Sequence, residues 1–289
     1  MLKITFIHQA VMNQRESRRI SGECLKARPL PARPIMRLAL FGSFIACTVI
    51  LYLLLLSLLR GFQLSSVAAF VLAAGCLGWN VVFLRTEKLT LAALGIFPFQ
   101  DAFRKFGAGL AWGMAVIAGW LIIIVVLLSP GIKLHSALEP RAIVNLVLFY
   151  LFNSGAEEFA YRGYAFLLIR KSYGRWTALA GTSVVFTLLH VQGGMAWVNA
   201  LAGVFTSALI LAVLFDRWQS LPLALGFHFA MNIAQDLLGV RQTPLSLLTL
   251  NYDGDPGPLG TATLLSVALF NLAIFALLAF GFRRRSFSN

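Results

Sequence analysis

Residues 151–168 read LFNSGAEEFAYRGYAFLL, and apolar runs flank the stretch on both sides. Its charges are Glu157, Glu158 and Arg162. One charge at the centre of a bilayer helix costs about 2.5–3.5 kcal/mol, so three facing lipid would cost about 8–10 kcal/mol. These side chains must therefore face a protein interior or a wet cavity, where an intramembrane ionisable cluster signals function.

The rest of the chain supports a membrane setting. It has 289 residues, 59% hydrophobic and only 12% charged, with mean hydropathy +0.80. Soluble domains carry about 25% charged residues. The apolar runs are continuous rather than alternating, which selects an all-α, polytopic helical bundle over a β-barrel. The expected spans are 38–59, 64–84, 106–128, 142–168, 176–191, 197–215, 221–238 and 261–282, eight in all, with no internal repeat and no obviously broken helix pair. Residues 1–37 form a basic tail, 38–282 the membrane domain with a core at about 140–240, and 283–289 a short C-terminal tail. Cys24, Cys47 and Cys76 are scattered and form neither a disulfide framework nor a metal motif. No cleavable signal peptide is evident, and the first apolar run reads as a retained helix.

The net charge of +13 does not point to nucleic acid. With the N-terminus in the cytoplasm, the opposite side holds only Arg60, Lys133, Arg141 and Arg241. The remaining Lys and Arg, apart from Arg162, fall in cytoplasmic segments. Both termini are thus expected in the cytoplasm, across a bacterial-type plasma membrane. The basic tail is expected to lie on anionic lipid. Trp79, Trp176, Trp197 and Trp218 fall near expected helix ends, as interfacial anchors do.

Helix geometry divides the two acids. Glu158 and Arg162 are four residues apart and share a face, where they can pair. Glu157 lies about 100° further round. Its i+3 and i+4 positions hold Ala160 and Tyr161, so no cation on its own helix answers it. Burial without such a partner makes a carboxylate the better proton acceptor, which suits a general base. The fifth span places Phe186 and His190 on one face, and the seventh places His228 and Asn232 on one face, with Gln235 and Asp236 continuing that stripe. Each pair alone could simply tie helices together. Converging with Glu157 in one wet cavity, they would supply a base, groups that hold water and a neutral amide donor. Counting 1.5 Å per residue from the cytoplasmic side, His228 lies about 10 Å deep, Glu157 about 10–20 Å and His190 about 20 Å.

Three spaced patterns, Glu157-Glu158-x-x-x-Arg162, Phe186-x-x-x-His190 and His228-x-x-x-Asn232, resemble the motifs of the CPBP intramembrane proteases. That family takes in the type II CAAX prenyl proteases and the Abi bacteriocin-processing and self-immunity proteins. The resemblance covers about residues 140–240 and implies an eight-helix membrane core that hydrolyses peptide bonds. It implies that Glu157 activates water, that His190 helps to hold it, and that His228 and Asn232 form an oxyanion hole. Glu158, Arg162 and Phe186 would support the site.

The family is often labelled a metalloprotease, and Glu157, His190 and His228 are the candidate zinc ligands. H-E-x-x-H is absent, however, and Asn is a poor zinc ligand, so no required cofactor is expected. The expected partner is a membrane-embedded or lipidated peptide, prenylated or leader-type. Two alternatives remain: a non-catalytic immunity or binding protein on the same scaffold, and a proton-coupled transporter. The intact set of motif residues favours catalysis.

Overall fold

A computed structural model describes residues 33–59, 64–134, 139–241, 246–251 and 261–281. The expected basic tail lies outside these apart from its last few residues, as does the C-terminal tail. In chain order the elements are α1 (Pro34–Leu59), α2 (Ser65–Thr86), a 3-10 turn (Leu91–Leu94), α3 (Phe99–Leu128), β1 (Gly131–Leu134), α4 (Pro140–Arg162), α5 (Tyr164–Tyr173), α6 (Arg175–Gln192), α7 (Trp197–Trp218), α8 (Leu221–Leu237), β2 (Leu248–Asn251) and α9 (Thr261–Ala276). The all-α bundle stands. Five segments are long and apolar enough to cross a membrane: Pro34–Leu59, Ser65–Thr86, Leu91–Leu128, Trp197–Trp218 and Thr263–Gly281. The remaining expected spans contain α4, α6 and α8, the helices that carry the polar motifs.

The expected single helix over 142–168 is two helices. α4 stops at Arg162, Gly163 leaves helical geometry, and α5 restarts at Tyr164. The break is held by Asn80 of α2, which is fully buried. Its Nδ2 donates to the carbonyls of Cys76 and Phe159, both at 2.8 Å, and its Oδ1 accepts from the Tyr164 amide at 2.7 Å. One side-chain amide thereby satisfies backbone groups on both sides of the interruption, groups that hydrocarbon could not satisfy. Only glycine fits at 163. A Cβ there would sit 2.0 Å from Asn80 Oδ1 and 2.4 Å from the Phe159 carbonyl oxygen.

Close helix contact positions α8. A Cβ at Gly109 or Gly113 of α3 would lie 2.1 Å from the Leu223 carbonyl oxygen or 2.5 Å from that of Phe227. A Cβ at Gly226 of α8 would lie 2.1 Å from the Phe106 carbonyl oxygen. Gly109 and Gly113 form a small-x-x-x-small seam, which lets backbones approach where lipid gives no hydrophobic drive to association. α7 changes to a wider π turn over Ala200–Phe205. Just beyond it, the buried Asn271 donates to Thr206 Oγ1 at 2.9 Å and accepts from Trp120 Nε1 at 3.0 Å, tying α9 to α7 and α3. Trp79 ties helices too, donating to Thr48 Oγ1 at 3.0 Å.

β1 and β2 pair antiparallel, from Gly131 opposite Asn251 to Leu134 opposite Leu248. The pairing puts the α3–α4 and α8–α9 connections on the same side of the bundle. Ion pairs gather at other connections. Arg170 and Arg175 reach Asp216 at 2.5 and 2.7 Å, and Arg37 pairs with Glu87.

Candidate active site

α4 and α8 meet through polar side chains four residues apart on each helix. Down α4 the positions are Tyr150, Ser154, Glu158 and Arg162; up α8 they are His228, Asn232 and Asp236. His228 Nδ1 lies 2.8 Å from Glu158 Oε1, Asn232 Nδ2 donates to Ser154 Oγ at 3.0 Å, and the Tyr150 hydroxyl donates to Asp236 Oδ2. A step of four along one helix answers a step of four back along the other, as antiparallel helices with i,i+4 stripes require. The result is a three-rung polar ladder inside an apolar bundle. His228, Ser154 and Asp236 are all buried.

Glu158 and Arg162 have side chains with 0% exposure, and Arg162 Nη1 donates to Glu158 Oε1 at 3.1 Å. Arg162 Nη2 donates to the Ala208 carbonyl at 3.2 Å, and the guanidinium stands 4.9 Å from the Phe186 ring centroid. Phe186 is itself buried and lies among Tyr161, His190 and His228, with ring centroids 5.0, 4.5 and 6.0 Å away. It packs the second motif against both of the others.

Glu157 stands one residue off the ladder. Its side chain is 22% exposed, against none for Glu158. Oε1 accepts from Asn153 Nδ2 at 2.8 Å. Oε2 lies 3.3 Å from His228 Nε2, but the two are not aligned as a hydrogen bond, and no protein group hydrogen-bonds Oε2. His228 thus stands between the two carboxylates, one nitrogen toward each. An ionised carboxylate only accepts, so the Nδ1 contact with Glu158 needs an N–H at Nδ1. Nε2 is left facing Glu157.

His190 is placed by its own helix. Its Nδ1 lies 2.9 Å from the Phe186 carbonyl, which can only accept, so Nδ1 is the donor and Nε2 the free acceptor of the neutral ring. No hydrogen bond joins His190 to Glu157. The structure therefore joins Glu157, Glu158, Arg162 and His228 by direct contacts, sets Asn232 one helical turn along α8 against Ser154, and sets His190 beside the cluster across Phe186. Among the described residues, no three His, Cys, Asp or Glu side chains are grouped so as to hold a metal ion. Of the three candidate ligands, Glu157 and His228 approach one another at 3.3 Å, and no hydrogen bond or ion pair joins either to His190.

Several partners were not singled out from the sequence. Tyr150, Ser154 and Asn153 were findable, since they lie four residues before Ser154, Glu158 and Glu157 on the same helix faces. Asn80 stood as a single amide in an apolar run. Arg241 carried no local signal. It lies beyond α8, and its Nη2 donates to Asn232 Oδ1 at 2.8 Å while Nη1 donates to the Tyr150 hydroxyl at 2.8 Å.

Fold and ladder together define a polytopic helical membrane protein with a buried acid–base cluster at the junction of two helices. Residues 139–234, about a third of the chain, match the family model Rce1-like, type II CAAX prenyl endopeptidase Rce1-like. This segment is therefore similar to a CAAX-type endopeptidase family, in agreement with the resemblance of the three motifs. No curated protein and no solved structure matches the chain.

Proposed function

We propose that the protein is an intramembrane endopeptidase that hydrolyses a peptide bond of a membrane-associated, prenylated or leader-type peptide, with Glu157 as the base that activates water. The observation that carries this reading is the placement of His228 between an exposed-edge carboxylate and a sealed one. Glu158, fixed by Arg162, holds the Nδ1–H of His228 and sets its tautomer. Nε2 then faces Glu157 Oε2, the atom that takes the proton from water and returns it to the departing nitrogen as the C–N bond breaks. Attack on the peptide carbonyl places negative charge on its oxygen, and donors aimed at that charge lower the barrier. The Asn232 amide is one such donor. His228 Nε2 would be the other when it carries a proton. His190 presents Nε2 as an acceptor that can orient the attacking water. No step requires a metal.

The test is cleavage in liposomes of a fluorescence-quenched peptide with a prenylated cysteine four residues from its C-terminus, alongside a leader-type peptide. Glu157→Gln keeps the shape and the Asn153 contact but cannot accept the proton. Turnover is expected to fall by at least about 100-fold, with the unfolding temperature unchanged. Full activity in Glu157→Gln overturns the mechanism.

A further inference from the structure

Asn232 has two faces, and two different partners hold them. Ser154 Oγ meets the Nδ2 side, but a hydroxyl both donates and accepts, so it would serve a flipped amide equally well. Arg241 meets the Oδ1 side, and a guanidinium only donates. Arg241 is thus the partner that distinguishes the oxygen of this amide from its nitrogen. Arg241 is in turn anchored. The Tyr150 hydroxyl donates to the buried carboxylate of Asp236, which leaves its lone pairs to accept from Arg241 Nη1. The guanidinium also stands 5.5 Å from the Tyr150 ring centroid.

We propose that Arg241 is a positioning residue that fixes the orientation of the Asn232 amide, presenting its N–H side to the site, and that Tyr150 and Asp236 hold Arg241 in place for that purpose. The proposal rests on the reading of Asn232 as an oxyanion donor. It assigns a function to a residue nine positions beyond Asn232 and outside the matched segment. An amide turned over would aim its oxygen, instead of a donor, at developing negative charge.

The experiment uses the full chain in nanodiscs with the same prenylated probe peptide. Arg241→Met is expected to lower kcat about 10- to 100-fold, as misplacement of a working group does, with KM within about twofold. Arg241→Lys, which can still donate to Asn232 Oδ1, restores part of the loss. Arg241→Met combined with Asn232→Ala is expected to fall no further than Asn232→Ala alone. A loss in Arg241→Met that multiplies with that of Asn232→Ala, or that tracks only a fall in unfolding temperature, overturns the proposal. A second readout needs no turnover. The side-chain amide resonances of Asn232, identified by their disappearance in Asn232→Ala, should shift or split in Arg241→Met and stay in place in Glu157→Gln. Unchanged resonances in Arg241→Met overturn the proposal. If wild type cleaves neither probe, that counts against the protease reading alone, and the resonances decide the role of Arg241.

Discussion

His228 Nδ1 lies 2.8 Å from Glu158 Oε1, so the carboxylate that pairs with Arg162 also holds the imidazole facing Glu157. Helix geometry assigns Glu158 to an ion pair with Arg162. The structure adds a second duty, because the same oxygen fixes the tautomer of a site histidine. Glu158→Gln should therefore do two things. It leaves the Arg162 charge buried without its carboxylate, which costs about 3–5 kcal/mol and should appear as a lower unfolding midpoint in detergent. It also replaces a charge-assisted contact to His228 with a weaker neutral one, so the surviving folded fraction should cleave more slowly than wild type. Wild-type turnover per folded molecule would show that His228 does not need Glu158.

The helix break offers a different test. Asn80→Ala removes the partner of the Phe159 carbonyl and the Tyr164 amide, with an expected loss of about 1–3 kcal/mol. Gly163→Ala drives a Cβ into Asn80 Oδ1 and into the Phe159 carbonyl oxygen, and should also destabilise. The double variant should be less damaged than the sum of the two singles, because removing the Asn80 amide relieves one of the two collisions. Thermal unfolding of the four proteins in one detergent measures this coupling.

The seam between α3 and α8 predicts a contrast between two glycines. Gly226→Ala forces the backbones apart at a 2.1 Å approach and should cost about 1–3 kcal/mol. Activity should drop with it, since His228 and Asn232 ride on α8. Gly107→Ala, with nothing within 4 Å of its Cβ, should stay within about 1 kcal/mol of wild type. Equal effects at the two positions would show that the close approach does not govern α8.

The donor arrangement predicts the response to chelation. Dialysis against a strong zinc chelator should leave cleavage of the probe peptide at its starting rate. Added zinc should not raise it. Loss of activity on chelation, with recovery on adding back one divalent ion, would show that Glu157, His190 and His228 gather around a metal.

Much of this was legible in the sequence, for a physical reason. Charged residues inside apolar runs are too costly to be incidental, so Glu157, Glu158 and Arg162 marked the junction of α4 and α8 directly. The i,i+4 spacing of His228 and Asn232 placed them on one face, and that face does meet α4. Hydropathy could not reveal the stop at Gly163. The residues on both sides are apolar, and the break is stabilised from another helix by Asn80, about 80 positions earlier in the chain. Arg241 was hidden in a similar way. On a linear reading it is one of a few positive charges on the sparser side, whereas its partners Tyr150 and Asn232 come from two separate helices. The glycines of α3 carry information only once their neighbour on α8 is known.

The pairing of β1 with β2 has a consequence for the chain as an object. Leu134 and Leu248 face one another, so the stretch running from α4 through α8 leaves and returns at nearly the same point. All the motif residues, and Arg241, lie inside that excursion. Between these two strands the chain is thus a loop tied at its neck, and every residue of the polar ladder shares that one tie.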